Sequence, residues 1–365
     1  MRINSRQLTA ALSVVAGVCP SHSPNETLKF VRLTRTEGDR LTIYATNQET
    51  AITHVVAVEP GPPINVLVRP DRLTAMLRGL DEDVTLDQNG DTLILVAGGM
   101  TTELEAPPAT ALPDFSAVDS GRPYTIDASD LRRALRICQA AAEHVPQAVR
   151  PLHGVCIETG DVIHCVATDA KKMAVVPIPY ERDGEIDGDC REVVPLPAVK
   201  LIANSLPETG TVGISFWLQG GVSVVSEHTT VHTRTLAGNF PKWQTIVESS
   251  AAVHQLSLPI EPFLSSVQRV AVTTSVDRQA ISVDFNASGI DLKTQAADVG
   301  KTTCHLDAPA PELDCVITLN SQYLTDALRA LGKDSEVQIY YADADKPFEL
   351  HLDDDSFFLV MPLES

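Results

Sequence analysis

The sequence predicts an α+β protein made of three copies of one domain-sized unit, each with two helices packed on antiparallel sheets. Three stretches carry apolar residues at helical spacing, then an acidic or glycine turn, then a strand pattern: Leu73–Val84, Val199–Val212 and Leu324–Val337. Their starts lie 126 residues apart (73 to 199) and 125 residues apart (199 to 324). Solenoid repeats are roughly 20–50 residues long, whereas a unit of this size can bury its own core. Three unrelated helix–strand junctions are the alternative, but they do not explain equal spacing with matching flanks.

The first unit, residues 1–120, sets the order of the elements. A short N-terminal strand leads into the helix Ser5–Val15, and alternating apolar residues then predict strands. A second helix is predicted over Arg69–Leu80, with Pro70 at its start, where a missing N–H costs little. Further strands follow, and the Pro- and Ala-rich segment from Ala106 is predicted to be a linker.

The second unit (residues 121–248) and the third (residues 249–365) repeat this order. Each begins with a strand and a helix, continues through strands to a second helix, and ends in strands. The segment GNFPKWQTIV, from Gly238, is the counterpart of the first linker. The predicted helices of these two units are Ser129–Ala142, Pro197–Ser205, Glu261–Val272 and Ser321–Leu331.

Composition places the chain among ordinary globular proteins, with 44% hydrophobic and 21% charged residues. No apolar run reaches the roughly 20 residues that a membrane-spanning helix needs. The N-terminus is polar and lacks the apolar core of a signal peptide. The seven cysteines form no C-x-x-C pair and their number is odd. This pattern predicts reduced thiols, a cytoplasmic location and no zinc site.

The net charge of −20 argues against a protein that grips nucleic acid tightly, because phosphate binding relies on Lys and Arg. The charges are unevenly distributed, however, since acids crowd loops such as Asp81–Asp83 and Asp353–Asp355. Basic residues recur on the predicted helices, a pattern that favours weak, sequence-independent phosphate contacts. For any one of them, a solvated helix face is the alternative. These helical cations are Arg69, Arg72, Arg78, Arg132, Arg133, Arg136, Lys200, Arg269, Arg329 and Lys333.

A polar hairpin turn is predicted within Ala167–Val176, ATDAKKMAVV. The segment Ala45–Asn47, ATN, is its equivalent in the first unit. The pattern therefore predicts a structural turn present in both copies, with function added to one of them.

The C-terminal segment Leu359–Leu363 is apolar, and Pro362 makes it a poor continuation of a central strand. We expect it to lie in a groove near the junction of the second and third units, where an apolar pocket would bind a peptide. A frayed tail is the alternative.

Catalytic motifs are absent from the sequence: it has no G-x-S-x-G, P-loop, G-x-G-x-x-G or H-E-x-x-H pattern. His144, His153 and His164 lie near Asp161 and Asp169 in sequence. Histidines scattered through strands are more often structural, so no enzyme and no cofactor are predicted. An enzyme that uses His153 and Asp169 stays open as an alternative.

With the threefold repeat, the chain combines three family motifs: ATDAKKMA from Ala167, GNFPKW from Gly238 and LVMPL from Leu359. Over its whole length it resembles the bacterial DNA sliding clamp, the beta subunit of DNA polymerase III. The resemblance implies a head-to-tail homodimeric ring of six domains whose helices surround duplex DNA. It also implies a non-catalytic processivity factor that tethers the polymerase III alpha subunit, the clamp loader and other partners through short peptides. A ring holds DNA by topology, which reconciles an acidic surface with a role in DNA replication.

Site residues are carried over by position from the resemblance. The peptide-binding pocket is expected to comprise Leu152, Thr168, Ala170, Lys171, Lys172, Met173, Pro241, Thr245, Ile246, Pro347, Leu359, Val360, Met361, Pro362 and Leu363. To the helical cations, the expected DNA-binding set adds His22, Gln147, Arg150 and Arg278. Ring closure is expected to join an edge strand near Thr102–Ala106 to one near Val270–Thr274 of the other subunit, with Leu104 and Val272 as apolar contacts.

Several positions depart from the family, which usually reads ATDGHRLA where this chain has ATDAKKMA. Lysine lacks the planar fork of arginine, so bidentate contacts are lost at Lys172. Thr245 stands where Arg is common, and the chain ends Leu-Glu-Ser instead of Arg-Leu. These departures predict a divergent clamp with a non-standard partner peptide, leaving open whether it is the main, a secondary, a phage or a plasmid clamp. The alternative is a clamp-like peptide-binding hub with altered or lost DNA tethering, suggested by the net charge and His22.

Overall fold

A threefold repetition of elements organises the computed structural model, which describes residues 1–115, 123–145, 151–181, 190–250, 252, 254–296, 299–309, 311, 313–333 and 335–363. Each copy runs through a strand, a helix, four strands, a second helix and three strands. The predicted α+β class with three repeated units of two helices and antiparallel strands is confirmed.

The first copy consists of β1 (Arg2–Asn4), α1 (Ser5–Ala16), β2 (Val31–Arg35), β3 (Arg40–Thr46), β4 (Thr50–Ala57), β5 (Ile64–Val68), α2 (Pro70–Leu77), β6 (Asp83–Asn89), β7 (Thr92–Ala97) and β8 (Met100–Glu105). The second copy consists of β9 (Tyr124–Asp127), α3 (Ala128–Ala141), β10 (Gly154–Glu158), β11 (Ile163–Thr168), β12 (Lys172–Ile178), β13 (Arg191–Pro195), α4 (Leu196–Ser205), β14 (Thr211–Phe216), β15 (Gly221–Val225) and β16 (Thr229–Arg234). After α5 (Trp243–Glu248), the third copy consists of β17 (His254–Pro259), α6 (Ile260–Ala271), β18 (Ala280–Asn286), β19 (Gly289–Ala296), β20 (Gly300–Leu306), β21 (Cys315–Asn320), α7 (Ser321–Leu331), β22 (Glu336–Tyr341), β23 (Phe348–His351) and β24 (Phe357–Val360).

Helix starts follow local capping chemistry. Asn4 precedes α1 and its side-chain oxygen accepts hydrogen bonds from the N–H groups of Arg6 and Gln7. Asn320 caps α7 in the same way. A side chain that satisfies these otherwise unpaired N–H groups fixes where a helix begins. Both helices therefore start where the sequence predicts or within one residue of it.

Two predictions differ from the structure by more than a one-residue shift of a helix end. Helix α2 ends at Leu77 instead of Leu80, because Arg78 is extended and Gly79 has a φ of +81° that ends the helix. The segment predicted as the second linker contains the short helix α5, which is anchored by the buried Trp243. Two short 3₁₀ turns, Glu26–Lys29 and Ala109–Ala111, complete the helical elements of the described residues.

Contacts divide the chain into two compact units, and each eight-stranded sheet lies in one of them. Unit one comprises mainly Met1–Arg132 and Pro197–Thr235. Its sheets have the strand orders β1-β6-β7-β8 and β5-β2-β3-β4-β16-β15-β14-β9. Strands of the first copy thus pair with strands of the second at β4 and β16, where Thr50 stands opposite Thr233.

Unit two comprises mainly Arg133–Pro179 and the chain from Leu236 onward, together with β13. Its sheets have the strand orders β13-β10-β11-β12-β24-β23-β22-β17 and β20-β19-β18-β21. Strands β12 and β24 join the second copy to the third. The second copy therefore divides its strands between the two units, whereas the predicted domain bounds follow the sequence repeat and stay a prediction.

Edge strands occur in both four-stranded sheets. In unit one the edges are β1 and β8, and β8 carries the half-buried Leu104, as predicted for an edge strand. In unit two the expectation of an edge strand near Val270–Thr274 is wrong: Val270 and Ala271 end α6, and Val272 is 76% exposed just beyond it. The edges of this sheet are β20 and β21. The roles of Leu104 and Val272 in a dimer stay predictions.

Candidate functional site

The turn between β11 and β12 in unit two begins the candidate site. Thr168 Oγ1 donates to the Lys172 carbonyl at 2.7 Å, and Asp169 Oδ1 accepts from the N–H groups of Lys171 and Lys172 at 2.8 and 2.9 Å. Ala170 adopts a φ of +73°. This left-handed conformation favours glycine, the residue expected of the family at this position. Alanine tolerates it here because side-chain and backbone hydrogen bonds close the turn on both sides.

The same turn occurs in unit one at Thr46–Thr50. Thr46 Oγ1 donates to the Thr50 carbonyl at 2.9 Å, and Asn47 Oδ1 accepts from two backbone N–H groups at 3.0 and 2.7 Å. Gln48 takes the left-handed position with a φ of +76°. The predicted duplication of this structural turn is confirmed.

The apolar floor of the candidate site lies on one face of the eight-stranded sheet of unit two. Met173 of β12 stands directly opposite Leu359 of β24. Both pack in one buried cluster with Leu152, and Ile246 of α5 packs against that cluster. Four residues predicted for the pocket are therefore brought together. The cluster also contains Phe240 and Trp243, which belong to the segment that covers this face.

Lys172 lies on the opposite face of the sheet from Met173, because successive side chains of a strand alternate. It is only 5% exposed, its Nζ lies 3.9 Å from Asp169 Oδ2, and it sits 5.0 Å above the ring of Tyr323. The carboxylate and the aromatic face stabilise the buried ammonium group. Its paired neighbour Val360 is fully buried on the same side. Neither side chain joins the apolar floor.

The C-terminal segment is held by backbone hydrogen bonds through Leu363. The Met361 N–H donates to the Lys171 carbonyl and the Leu363 N–H to the Thr318 carbonyl, each at 2.8 Å. Strand β24 ends at Val360, before Pro362, as the missing N–H of proline requires. The described tail is thus fixed instead of frayed, and it leaves Met361 36% exposed at the rim. Glu364 and Ser365 lie outside the described residues.

The remaining predicted pocket residues differ in their exposure. Ala170, Lys171 and Thr245 are exposed, and Pro241 is half-buried. Pro347 is buried next to β23, and Thr168 is buried within the turn.

A polar network that sequence analysis missed fastens the covering segment. Trp243 Nε1–H donates to Glu158 Oε2 at 2.9 Å, and Arg191 donates to the Pro241 carbonyl at 2.7 Å. Arg191 Nε also lies 3.7 Å from the Glu158 carboxylate. These contacts tie α5 and its flank to β10 and β13. Glu158 and Trp243 are 85 residues apart, so no local spacing pairs them.

The residues proposed for an enzyme alternative have structural partners. His153 Nδ1 lies 2.8 Å from the Glu143 carbonyl, and Asp169 accepts the turn N–H groups. Burial lowers the pKa of His164, which lies 5.2 Å from the Trp243 ring, ring centre to ring centre. Within the part of the chain that the structure describes, no three His, Cys, Asp or Glu side chains are arranged to hold a metal ion. No described helix is long and apolar enough to cross a membrane.

The predicted DNA contacts fall into two groups. Arg69 forms a bidentate pair with Asp71 at 3.0 and 2.8 Å, a hydrogen bond that raises the pKa of Arg69 and lowers that of Asp71. Arg133 pairs with Asp354 at 2.5 Å, and Arg132 donates to the Leu206 carbonyl. The other group is exposed and has no carboxylate partner among the residues described: Arg72, Arg78, Arg136, Lys200, Arg269, Arg329 and Lys333. His22 and Arg278 are also exposed, whereas Gln147 and Arg150 lie outside the described residues.

Comparisons with known proteins agree with this architecture. Residues 251–364 match the family model of the DNA polymerase III beta subunit, C-terminal domain. No curated protein matches the sequence significantly. The fold matches the DNA polymerase III subunit beta sliding clamp from Pseudomonas aeruginosa bound to griselimycin, with 20% identity, a TM-score of 0.90, and 100% of this chain and 99% of that chain covered. The beta subunits from Streptococcus pyogenes (19%, 0.88) and Thermotoga maritima (20%, 0.87) match over the same shares. At these identities the likeness shows the fold, and it covers the whole chain.

Proposed function

We propose that this chain, which carries the C-terminal domain of the DNA polymerase III beta subunit on a full-length sliding-clamp fold, is a DNA sliding clamp. It encircles duplex DNA without reading its sequence and tethers the polymerase III alpha subunit, the clamp loader and other partners. It acts in the cytoplasm as a head-to-tail homodimer, and it has no catalytic activity or cofactor. The full-length match of the fold is the observation that carries this proposal.

The apolar floor around Met173 and Leu359 suits capture of a short peptide. The Trp243 segment forms one wall and the fixed C-terminal segment forms the other. A partner's apolar side chains would be buried against a surface that is already ordered, so binding costs little conformational entropy of the clamp. Recognition of short peptides through a few apolar anchors is a common mode of partner selection.

The exposed cations on and directly beside the helices support loose contact with DNA. Arg78 and Arg136 illustrate the pattern: both are exposed and free of carboxylate partners in the described residues. A few such contacts give weak binding that salt abolishes readily. Retention then depends on closure of the ring, while the excess of acids, with a net charge of −20, limits unproductive adhesion to nucleic acid.

The edge strands β8 and β20 support head-to-tail assembly. Strand β8 exposes Glu103 and Glu105, whereas β20 exposes Lys301 and His305. An unpaired edge is a template for another strand, and opposite charges across such a pair favour it. We therefore place β8 of one subunit against β20 of the next, with Leu104 among the apolar contacts.

The decisive experiment is retention on nicked circular DNA in the presence of a matching clamp loader, before and after the circle is linearised. The proposal expects a loaded clamp that stays on the circle and slides off free ends. Equal behaviour on both DNAs would contradict a topological tether and favour the peptide-binding hub.

A further inference from the structure

Glu349 of β23 is a buried acid with an unused oxygen. The residue is only 5% exposed, and its Oε2 accepts from His351 Nε2–H at 2.6 Å. Its Oε1 is buried and has no hydrogen-bond partner among the residues that the structure describes. In the same part of the chain only one other buried side-chain atom, Arg35 Nε, shares this state. An unsatisfied buried carboxylate oxygen is unfavourable, so this atom needs a donor that the described residues do not supply.

Glu349 lies on the same sheet face as the apolar floor of the site. Met173 of β12 is opposite Leu359 of β24, and Leu359 is opposite Glu349 of β23. The three side chains therefore form one row across three neighbouring strands, since directly paired residues point to the same side of a sheet. The carboxylate is the next position beyond the apolar floor.

The surroundings of Glu349 change from apolar to polar at β23. His351 stacks on Phe357 of the apolar cluster at 5.0 Å and meets the edge of Tyr340 at 4.7 Å, ring centre to ring centre. His351, two residues after Glu349 on the same face, keeps 27% of its side chain exposed, and Met361, directly after β24, is 36% exposed. Methionine is unbranched and adapts readily to a ligand. A ligand group would approach the carboxylate from the exposed side of His351.

We infer that Glu349 determines the specificity of the peptide site: its Oε1 accepts a hydrogen bond from a basic side chain of the bound peptide, next to the peptide's apolar anchors. This inference rests on the proposed function. A charged donor satisfies the oxygen with a stronger hydrogen bond than a neutral donor does. Within the described chain, no Lys or Arg lies within ion-pair distance of Glu349, and Lys172 faces the other side of the sheet. Arginine suits the role best because its fork presents several donors.

The test uses capped synthetic peptides that carry two leucines as anchors and differ only in arginine or its uncharged isostere citrulline. The arginine is moved through each position on either side of the leucines, and affinity is measured by fluorescence polarisation with the full-length protein. At one position the arginine peptide should bind about tenfold tighter than its citrulline partner. In Glu349→Gln this ratio should fall to about one, while Glu248→Gln, an exposed acid of α5, should keep it.

Equal affinity of both peptides for the unaltered protein at every position would overturn the inference, and this comparison needs no variant. A ratio that survives in Glu349→Gln, in a protein whose thermal unfolding is unchanged, would overturn it as well. If no leucine peptide binds at all, the proposed peptide site is wrong and the inference with it. If leucine peptides bind but arginine gives no advantage, only the inference is wrong.

Discussion

Equivalent strand positions of the two units carry different side chains. In unit two the row is Met173, Leu359 and Glu349. In unit one the corresponding row is Ala51, His232 and Ser223, again directly after the repeated turn. The backbone is the same, but methionine is replaced by alanine and the unsatisfied acid by serine.

In unit one the equivalent site is filled by the chain itself. Ser223 Oγ accepts from Trp217 Nε1–H at 2.7 Å and lies 2.8 Å from His232 Nδ1, so it is satisfied. Phe115 stacks on the His232 ring and packs beside Trp217, with ring centres 6.3 and 5.8 Å away. Aromatic side chains thus pack on the row in both units, Phe115 in unit one and Trp243 in unit two. The difference lies at the end of the row, where Ser223 has partners and Glu349 Oε1 has none among the described residues. The proposed function assigns a peptide site to unit two alone.

The largest test of this contrast is to end the chain after Val360, which removes the C-terminal segment that Lys171 and Thr318 hold in unit two. Peptide affinity should fall by about 100-fold, since two partly buried apolar side chains are lost. The fold should survive because the pairing of β24 stays intact. Fluorescence polarisation and thermal unfolding measure the two effects. Undiminished binding would remove the tail from the site.

Substitutions at Met173 in unit two and at Ala51 in unit one test the contrast in both units. Met173→Ala should lower peptide affinity about tenfold and stability by about 2–5 kcal/mol, because it leaves a cavity. Ala51→Met should cost about 1–3 kcal/mol through overpacking against the rings of unit one. It should leave peptide affinity unchanged. Urea unfolding and peptide titration of both variants check this, and a weaker peptide complex in Ala51→Met would contradict the assignment of the site.

The hydrogen bonds that hold the segments packed on each row offer a further test of the contrast. In unit one Tyr44 Oη accepts from the Phe115 N–H at 2.9 Å and donates to the Pro113 carbonyl at 3.1 Å. Tyr44→Phe should therefore cost about 1 kcal/mol of stability but not affect peptide binding. Glu158→Gln in unit two should weaken peptide binding about fivefold and shift the Trp243 fluorescence that the peptide elicits. Identical peptide affinities in both variants would show that peptide binding does not need the hydrogen bond between Glu158 and Trp243.

The cations proposed to contact DNA should act alike in both units, unlike the proposed peptide site. Arg78→Glu in unit one and Arg136→Glu in unit two should each shorten retention on circular DNA by about threefold, less at high salt because salt weakens phosphate contacts, with the dimer intact. Arg133→Gln should matter less, because Arg133 is already paired with Asp354. Retention half-lives and analytical ultracentrifugation provide the measurement. No loss in either glutamate variant would remove these helix faces from contact with DNA.

The smallest effect concerns pH. Burial lowers the pKa of His232, whose ordinary value is 6.5. Below that value the unfolded chain binds a proton that the folded chain resists, so this stabilising contribution is lost as pH falls. The urea midpoint should drop between about pH 7.5 and 5.5, and His232→Gln should reduce the drop. A larger drop of the urea midpoint in His232→Gln than in the unaltered protein would contradict the predicted direction of the His232 contribution.

The repeat, the class and the apolar floor could be predicted because they depend on local patterns. The spacing of apolar residues gives the helices, and the motif around Met173 gives the strand and its turn. The orientation of Lys172 could not be predicted, because it depends on strand parity after a left-handed residue. Glu158 and Trp243 meet across the chain, and only the fold brings them together. Whether Glu349 Oε1 meets a hydrogen-bond donor likewise depends on side chains of neighbouring strands, which no local pattern reveals.

The pairing of β12 with β24 has a consequence for how the protein is made. Residues 172–175 pair with residues 357–360, which are synthesised much later. The eight-stranded antiparallel sheet of unit one is complete once β16 emerges, and it can form while translation continues. The eight-stranded sheet of unit two can form only after β24 has been synthesised. Chains released before β24 would therefore lack the row of Met173, Leu359 and Glu349.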